Sequence, residues 1–436
     1  MPPKITIIGA GSFVFARRLV TDVLTWPSLQ DSTIGLMDID ASRLRTMAAL
    51  ARRMVDQVGT EARVESTTDL RTALDGADYV TVAIRVGQDR NYVEIPLRYG
   101  IDQAIGDTSG PGGVFYFLRN APALVNIART MEDACPRGLM LNYTNPMGML
   151  SWAVKALTDI RYVGLCHSVQ GTAMTLAEYI GAPFEEVSYW VAGVNHSAWF
   201  LKFLCKGEDA YPLLWKAMRD PDIYARDIVR WEIMKHFGAF VSESSIHNSE
   251  YVPYFRRTPE LIERYTSEKM WGVGPRGMTR EERRAASIRR RKEREEENRR
   301  LAFGDEEIPI VRSHEYYSRI LNAIETNMPY VLNGNVLNSG LITNLPRGAI
   351  VEVPIVVDGC GLHACYVGDI PPALAALNRA SLNVQELAVK GFVERDREYI
   401  YCAVQLDPLT TTRLTLPEIR QMVDEMFEAN KAYTTF

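Results

Sequence analysis

The sequence KITIIGAGS, residues 4–12, joins a strand-like apolar run to a pair of glycines. Such a pair permits a tight turn and lets backbone amides approach a pyrophosphate at the start of the next helix, expected from about Phe13. The third glycine position of this pattern holds Val14, and any tight turn can use two glycines. We predict a dinucleotide site at this turn, formed by Gly9, Gly11, Ser12 and Phe13.

Asp38 ends the second strand-like segment, STIGLMDID. A carboxylate at this position accepts hydrogen bonds from an adenosine ribose and repels a 2'-phosphate, so it favours NAD over NADP. Asp38 could instead cap the helix that begins at ASRLRTM, but Asp40 is better placed for that role. The sequence therefore predicts Asp38 as a further NAD-binding residue.

Apolar strand-like segments alternate with helical segments through the first two-fifths of the chain: ADYVTVAIRV, LMLNYTNP and YVGLCH continue the series. This alternation is typical of an α/β fold with a doubly wound parallel sheet. Later segments mix long helices with strand-like AIVEVPIVVD. We predict a Rossmann-type NAD-binding domain over residues 1–195 and a C-terminal α+β domain over residues 196–436, for substrate binding or oligomerisation.

Composition restricts the class of protein. The chain has 436 residues, 47% of them hydrophobic, and a net charge of -5. This charge argues against nucleic-acid binding, and no apolar run approaches the roughly 20 residues of a membrane helix. Structure is predicted from the first residues onward without a signal peptide, and six cysteines lack a CxxC pair. We expect free thiols, no membrane partner and a cytoplasmic location.

Two loops after predicted strands carry polar side chains. GDTSGPGG, residues 106–113, includes Asp107, and NYTNP, residues 142–146, includes Asn145. Both could be ordinary turns, because Asn, Asp and Gly dominate turns. Open α/β sheets nevertheless bind ligands outside the carboxyl ends of their strands, where these loops fall.

A thiol and an imidazole follow two further apolar runs. Cys166 ends YVGLC, and His196 follows WVAGVN. Thiolate and imidazole suit borderline transition metals, so the pair could bind an ion. The alternative is a buried free cysteine beside a hydrogen-bonded structural histidine.

Several motifs together resemble glycoside hydrolase family 4, the NAD-dependent and divalent-metal-dependent glycosidases: GAGSFVFARRLVTDVL, LMDID, GDTSGPGGVF, LNYTNPM, GLCHSVQGTA, AGVNHSAWF, ESSIHNSEY and NSGLITNLPRGAIVEVP. They keep their order from the first strand to the last helices. CHSVQGTA beside DTSGPGG is most similar to the α-galactosidase, or melibiase, subgroup. The resemblance implies a small-molecule α-galactoside substrate, with an α-galacturonide or α-glucoside as alternatives.

The resemblance also implies a redox elimination in place of two-carboxylate hydrolysis. NAD would take a hydride from sugar C3, a base would remove the acidified C2 proton, and a metal ion, usually Mn²⁺, would stabilise the enolate. Elimination at C1, addition of water and return of the hydride would complete the cycle. An NAD-dependent sugar dehydrogenase and a non-catalytic sugar or nucleotide sensor are the alternatives from other classes.

The resemblance implies a role for each residue that matches a functional position of the family. Cys166 and His196 match the metal pair, Asn145 matches the asparagine at the sugar hydroxyls, and Asp107 matches the acid at the glycosidic oxygen. Glu243 is the candidate C2 base, with Tyr251 or His247 as alternatives.

His167 adjoins the metal cysteine, and alternation along a strand would direct it elsewhere, toward substrate or nicotinamide. Arg85 and Arg90 follow the third predicted strand, where they could reach a pyrophosphate oxygen or bind an anionic sugar, although a solvated arginine is the commoner case.

The stretch RGMTREERRAASIRRRKEREEENRR, residues 276–300, is highly charged, with both signs mixed. Thr279 and Glu282 form a capping-box pattern, which predicts an exposed, ion-paired helix, the alternative being a mobile segment. Few apolar residues mean that its order could depend on a ligand or a neighbouring subunit. We expect a homodimer or homotetramer.

Overall fold

The computed structural model describes residues 2–13, 15–273, 279–434 and 436. The strands in these ranges form one sheet of twelve strands. Their bounds are β1 Lys4–Ile8, β2 Thr33–Met37, β3 Arg63–Thr67, β4 Tyr79–Val82, β5 Leu139–Asn142, β6 Arg161–Gly164, β7 Val187–Val194, β8 Ser197–Cys205, β9 Glu208–Asp209, β10 Tyr330–Leu337, β11 Ile350–Asp358 and β12 Gly361–Ala364.

Helices connect and cover these strands. Their bounds are α1 Phe15–Leu24, α2 Ala41–Val58, α3 Leu70–Leu74, α4 Asn91–Arg98, α5 Gly110–Ala134, α6 Met147–Leu157, α7 Ser168–Tyr179, α8 Tyr211–Ala217, α9 Pro221–Arg226, α10 Ile228–Phe237, α11 Ser245–Asn248, α12 Pro259–Arg264, α13 Arg280–Phe303, α14 Tyr316–Thr326, α15 Pro372–Glu394, α16 Arg397–Gln405 and α17 Leu416–Asn430. Short 3-10 helices cover Pro27–Leu29, Phe184–Glu186 and Thr410–Thr412.

The first six strands are parallel and run in the order β3-β2-β1-β4-β5-β6. This is the order of doubly wound dinucleotide-binding sheets, and it confirms the predicted α/β class. Strand β3, RVEST, was not predicted because its side chains are polar and largely exposed at the sheet edge. The strands predicted as third and fourth are therefore β4 and β5.

Helices cover both faces of the parallel part. Ile5 and Ile7 of β1 are buried with α1, α2 and α14, whereas Val80 and Val82 of β4 are buried with α5, α15 and α17 on the other face. Each such fully buried aliphatic side chain contributes about 1.5–3 kcal/mol. Apolar runs without alternation are therefore expected in these strands, because neither face meets water.

The antiparallel strands extend the same sheet beyond β6. Asn335 of β10 pairs with Gly164 of β6, and Glu352 of β11 pairs with Gly193 of β7. The predicted boundary between residues 195 and 196 falls in the turn between β7 and β8, which pair along their length. The division into residues 1–195 and 196–436 stays a prediction.

The charged segment forms helix α13. Thr279 and Glu282 make the predicted capping box, with Glu282 N donating to Thr279 Oγ1 and Thr279 N donating to Glu282 Oε2 (3.1 and 2.7 Å). The helical alternative is therefore confirmed from residue 280 onward. The segment's first residues, 276–278, and Val14 of the glycine turn lie outside the described residues.

Two other predictions concern composition. The six cysteines are all free thiols, as predicted. Within the described ranges, no helix is long and apolar enough to cross a membrane.

Candidate active site

The carboxyl ends of the parallel strands open into one cavity of about 930 Å³, here called the main cavity. Its lining brings together seven residues that the sequence predicted for ligand binding: Gly9, Gly11, Ser12, Phe13, Asp38, Asp107 and Asn145. They come from the ends of four segments distant in sequence. The sheet thus gathers them where doubly wound folds bind ligands.

The glycine turn after β1 leaves no room for side chains. Gly9 has φ +88°, and a Cβ there would lie 2.2 Å from the carbonyl oxygen of Ala83. A Cβ on Gly11 would lie 2.7 Å from Asp38 Oδ2. Both positions therefore require glycine, and the backbone stays open to a phosphate group at the start of α1.

Asp38 is held beside this turn by backbone amides. Gly11 N donates to Asp38 Oδ2 (2.7 Å), and Asp40 N donates to Asp38 Oδ1 (2.8 Å). Asp40 caps α2, accepting from the amides of Ser42 and Arg43 at 3.0 and 3.1 Å, as the sequence indicated. Asp38 is thus fixed with its carboxylate at the main cavity, where a ribose of a bound dinucleotide would be recognised.

Cys166 and His196 meet because of the register of the sheet. Gly164, two residues before Cys166, pairs with Asn335, and Gly193, three residues before His196, pairs with Glu352. Asn335 and Glu352 pair with each other. The ends of β6 and β7 are thereby brought together, and Cys166 Sγ lies 3.2 Å from His196 Nε2.

Glu243 completes a cluster of three potential metal ligands. A bridge between Val241 and Trp199 of β8 brings this segment beside the β7–β8 turn. One ligand atom each from Cys166, His196 and Glu243 lies within 4.8 Å of the others, and His196 Nε2 is 3.5 Å from Glu243 Oε2. These three residues are here called the metal cluster. Thiolate, imidazole and carboxylate together suit a divalent transition ion.

Backbone strain marks two members of the metal cluster. His196 has φ 62° and Glu243 has φ 71°, both in the left-handed region. Such a conformation costs a non-glycine residue about 1–3 kcal/mol and persists where the surrounding structure enforces it. The turn after β7 and the segment before α11 therefore hold these side chains in fixed directions.

The charges of the metal cluster depend on one another. Burial would raise the pKa of the Cys166 thiol, but the adjacent His196 lowers it below its usual value. Burial opposes the charge on His196, yet Cys166 and Glu243 raise its pKa. Burial also disfavours ionised Glu243, but His196 and His247 hold the pKa of that carboxyl well below its usual range. A divalent cation would replace the proton shared by these two anions and the imidazole.

A second group of side chains connects the metal cluster to the main cavity. His247 Nδ1 lies 3.6 Å from Glu243 Oε1, and His247 Nε2 lies 3.7 Å from Asp107 Oδ1. Thr108 Oγ1 is hydrogen-bonded to His247 Nε2 at 2.6 Å. The Tyr251 hydroxyl is 3.2 Å from His196 Nδ1. All three candidates for the C2 base, Glu243, Tyr251 and His247, thus lie around the imidazole of His196.

Asn145 and His167 differ in their surroundings. Asn145 Oδ1 is buried and receives no hydrogen bond from the described residues, so its carboxamide is available to a ligand. His167 Nε2 lies 2.5 Å from Glu315 Oε2, and its ring packs on Tyr143, which lines the main cavity. The orienting role of His167 stays a prediction.

Sequence reasoning missed several supporting residues. Glu250 is buried and accepts from the amides of Ile105 and Gly106 (2.7 and 2.9 Å), which fixes the loop that carries Asp107. Glu315 binds His167, and Arg18 donates to Glu315 at 2.9 Å. These partners lie more than 140 positions apart in the chain, so no local pattern could reveal them.

The fold is that of the doubly wound dinucleotide-binding enzymes, with a metal cluster added where the strand ends meet. The family model described as Family 4 glycosyl hydrolase matches residues 4–182, and the one described as Family 4 glycosyl hydrolase C-terminal domain matches residues 191–410. The chain belongs to glycosyl hydrolase family 4 and is a glycosidase, as its motifs predicted.

Curated relatives match nearly the whole chain. It is 39% identical to an alpha-galactosidase of Bacillus subtilis (strain 168), over 98% of both chains. It is 37% identical to an alpha-galactosidase of Rhizobium meliloti (strain 1021), over 98% of this chain and 88% of the relative. Among solved structures, a 6-phospho-beta glucosidase from Thermotoga maritima with manganese, NAD+ and glucose-6-phosphate matches with a TM-score of 0.80 at 22% identity, covering 99% of each chain.

Proposed function

We propose that this protein is an α-galactosidase that uses NAD and a divalent ion of the Mn²⁺ type. The observation that carries the proposal is the metal cluster of Cys166, His196 and Glu243, which lies beside the main cavity with its glycine turn and Asp38. The two alpha-galactosidases that match over 98% of this chain support the choice of sugar.

Residues around the main cavity fit NAD. The glycine turn presents backbone amides to a pyrophosphate, and Asp38 is fixed where it can accept from a ribose and exclude a 2'-phosphate. When bound, NAD supplies a hydride acceptor for sugar C3 and later returns the hydride, without net oxidation. The protein contributes the alignment of the sugar against the cofactor.

The metal cluster fits a divalent cation, which supplies Lewis-acid stabilisation to negative charge developing on the sugar. Cys166, His196 and Glu243 would hold it, leaving further positions for sugar hydroxyls and water. The affinity order of first-row ions does not itself favour Mn²⁺. Support for manganese comes from the Thermotoga maritima structure, which contains manganese and NAD+.

The remaining side chains would bind the sugar and move protons. The carboxamide of Asn145 would form hydrogen bonds with sugar hydroxyls. The carboxyl of Asp107 would donate a proton to the glycosidic oxygen. Glu243 remains a proposed base for the C2 proton, but its place in the metal cluster gives it a competing role as ligand. Tyr251 Oη and His247 are the alternatives, each adjoining the same cluster.

A galacturonide is the second candidate substrate. Arg85 lines the main cavity with Asp107, so its guanidinium could bind the carboxylate of an anionic sugar. Arg90 lies instead at the start of α4. An α-glucoside could react by the same chemistry at C2 and C3, because it differs from the α-galactoside only in the configuration of the C4 hydroxyl.

A panel of p-nitrophenyl α-glycosides tests the proposal, assayed with NAD, Mn²⁺ and a reductant. We expect cleavage of the α-galactoside above the α-galacturonide and α-glucoside, dependent on both additions, with no lasting NADH absorbance. Net NADH accumulation would identify a dehydrogenase. Binding without turnover of any glycoside would indicate a sensor, and full activity after removal of NAD and chelation would contradict the redox mechanism.

Location and assembly belong to the proposal as well. A cytoplasmic location is supported by the free thiols, since a reducing compartment keeps cysteines unpaired. Assembly into a homodimer or homotetramer is proposed as well, and light scattering on the purified protein would test it.

A further inference from the structure

Helix α13 crosses the mouth of the main cavity. Toward its end, Leu301 and Ala302 are buried in the core beside α1 and α2, and Glu295 pairs with Arg43 of α2 at 3.6 Å. Toward its start, Arg284 pairs with Glu94 of α4 at 3.4 Å. Because α2 and α4 cover opposite faces of the sheet, the helix spans the strand ends from one side to the other.

One face of α13 lines the main cavity. Its members are Ser287, Arg290, Arg291 and Arg294, spaced at three and four residues as one helical face requires. The same face continues to Asn298 and Leu301, which are buried at 3% and 4% exposure. Packing at that end therefore turns this face of the helix, with its three exposed arginines, toward the main cavity.

These arginines have no carboxylate partner in the described part of the chain. Among the described residues, no carboxylate lies within 4.0 Å of Arg290, Arg291 or Arg294, and Arg291 reaches only the neutral Gln88 at 3.5 Å. By contrast, Arg17 pairs with Glu297 of the same helix at 3.1 Å. Unpaired guanidinium groups that converge on a cavity are suited to a phosphate oxygen.

The charge of the whole lining points to an anionic ligand. The main cavity is lined by five arginines and three aspartates. Asp38 accepts from two backbone amides, and Asp40 caps α2, so both carboxylates have internal partners. Arg43 pairs with Glu295, so the positive charge that remains on the lining comes from Arg85 and the three arginines of α13.

We propose that Arg290, Arg291 and Arg294 bind the pyrophosphate of the dinucleotide, and that α13 thereby retains the cofactor between turnovers. The proposal rests on the proposed NAD-dependent function. The glycine turn supplies neutral amide donors on one side of the pyrophosphate, and α13 supplies charge on the other. Because the hydride returns to the same sugar, the cofactor need not leave, so retention does not slow turnover as it would in a dehydrogenase.

The test compares two triple variants with equal loss of charge. One is Arg290→Gln with Arg291→Gln and Arg294→Gln. The matched control is Arg289→Gln with Lys292→Gln and Arg299→Gln, exposed positions of the same helix that do not line the main cavity. Calorimetry on the full chain measures the Kd of NAD, ADP-ribose and adenosine, with circular dichroism to establish equal folding.

We expect the cavity-facing variant to bind NAD and ADP-ribose at least about tenfold more weakly, and adenosine unchanged, because only the first two carry the pyrophosphate. The control should stay within about twofold of the unmodified protein, and NAD binding to the cavity-facing variant should depend less on salt. The single variant Arg294→Gln should show a smaller change in the same direction.

Equal weakening in both triple variants, or equal weakening of adenosine, would overturn the assignment. Failure of the unmodified protein to bind NAD would overturn it together with the proposed function. NAD binding that the cavity-facing arginines control, in a protein that cleaves no α-galactoside, would refute only the proposed function.

Discussion

Gly164 of β6 and Gly193 of β7 stand in one row across the sheet, joined through Asn335 and Glu352. The two glycines lie two and three residues before Cys166 and His196. A register shift of one residue in this row would turn every following side chain to the other face. Formation of the metal cluster is thus a consequence of correct strand pairing.

Replacement of Cys166 or His196 in the metal cluster should abolish turnover without loss of the cofactor. We expect Cys166→Ser and His196→Ala each to retain less than about a tenth of the rate, more than ~1.4 kcal/mol in barrier. The glycine turn is a separate contact, so the Kd of NAD should change little. Cys402→Ser, a thiol of α16, is the matched control. A rate above that limit in either variant contradicts the metal assignment.

Glu243→Gln should weaken metal binding because one oxygen of Glu243 belongs to the metal cluster. We expect the affinity for Mn²⁺, measured by calorimetry, to fall at least about tenfold. A variant with unchanged Mn²⁺ affinity that loses only C2 proton exchange would identify Glu243 as the base instead.

Tyr251→Phe tests the alternative base. Its hydroxyl lies 3.2 Å from His196 Nδ1, and burial raises the pKa of this phenol, so Tyr251 would accept a proton only where a bound cation favours the phenolate. We expect Tyr251→Phe to lose C2 exchange with heavy water while it binds Mn²⁺ normally. His247→Asn serves as the comparison, since exchange lost there and retained in Tyr251→Phe would assign the base to His247.

Isotopic substitution tests the order of bond breaking. Elimination through a C3 ketone removes hydrogen from both C3 and C2, so substrate deuterated at either carbon should react more slowly. Product formed in heavy water should carry deuterium at C2. A reaction with no isotope effect at C3 and no deuterium at C2 would exclude redox elimination.

Asp407 should make stability depend on pH. Burial raises the pKa of this carboxyl from 3.8 to about 6, against the effect of hydrogen bonds from Thr410. A raised folded pKa contributes stability that is complete below the unfolded value and is lost as pH rises through the folded value. Relative to the unmodified protein, Asp407→Asn should gain up to about 3 kcal/mol in free energy of unfolding between about pH 4 and pH 8. Urea unfolding measures this difference, which should be constant with pH if Asp407 is uninvolved.

The sequence predicted the parts of the site that follow regular strands. Gly9, Asp38, Asn145 and Cys166 could be located because each ends a recognisable apolar run at the same edge of the sheet. Glu243 follows a single bridge between Val241 and Trp199, which leaves no periodic pattern in the chain. Its place in the metal cluster could therefore not be predicted from the sequence.

The cavity-facing arginines of α13 illustrate the opposite difficulty. Their helix was predicted from the Thr279 capping box, but a stretch with charges on every side gives no periodicity to show which face is buried. Only Leu301 and Asn298, near its end, decide the orientation.

The metal cluster takes Cys166 from the segment matched by one family model and His196 and Glu243 from the segment matched by the other. Neither segment alone holds a complete ligand set. A chimera that exchanges one segment for that of a relative must therefore rebuild the centre across the new junction. We therefore expect the two segments to be inherited together in this family.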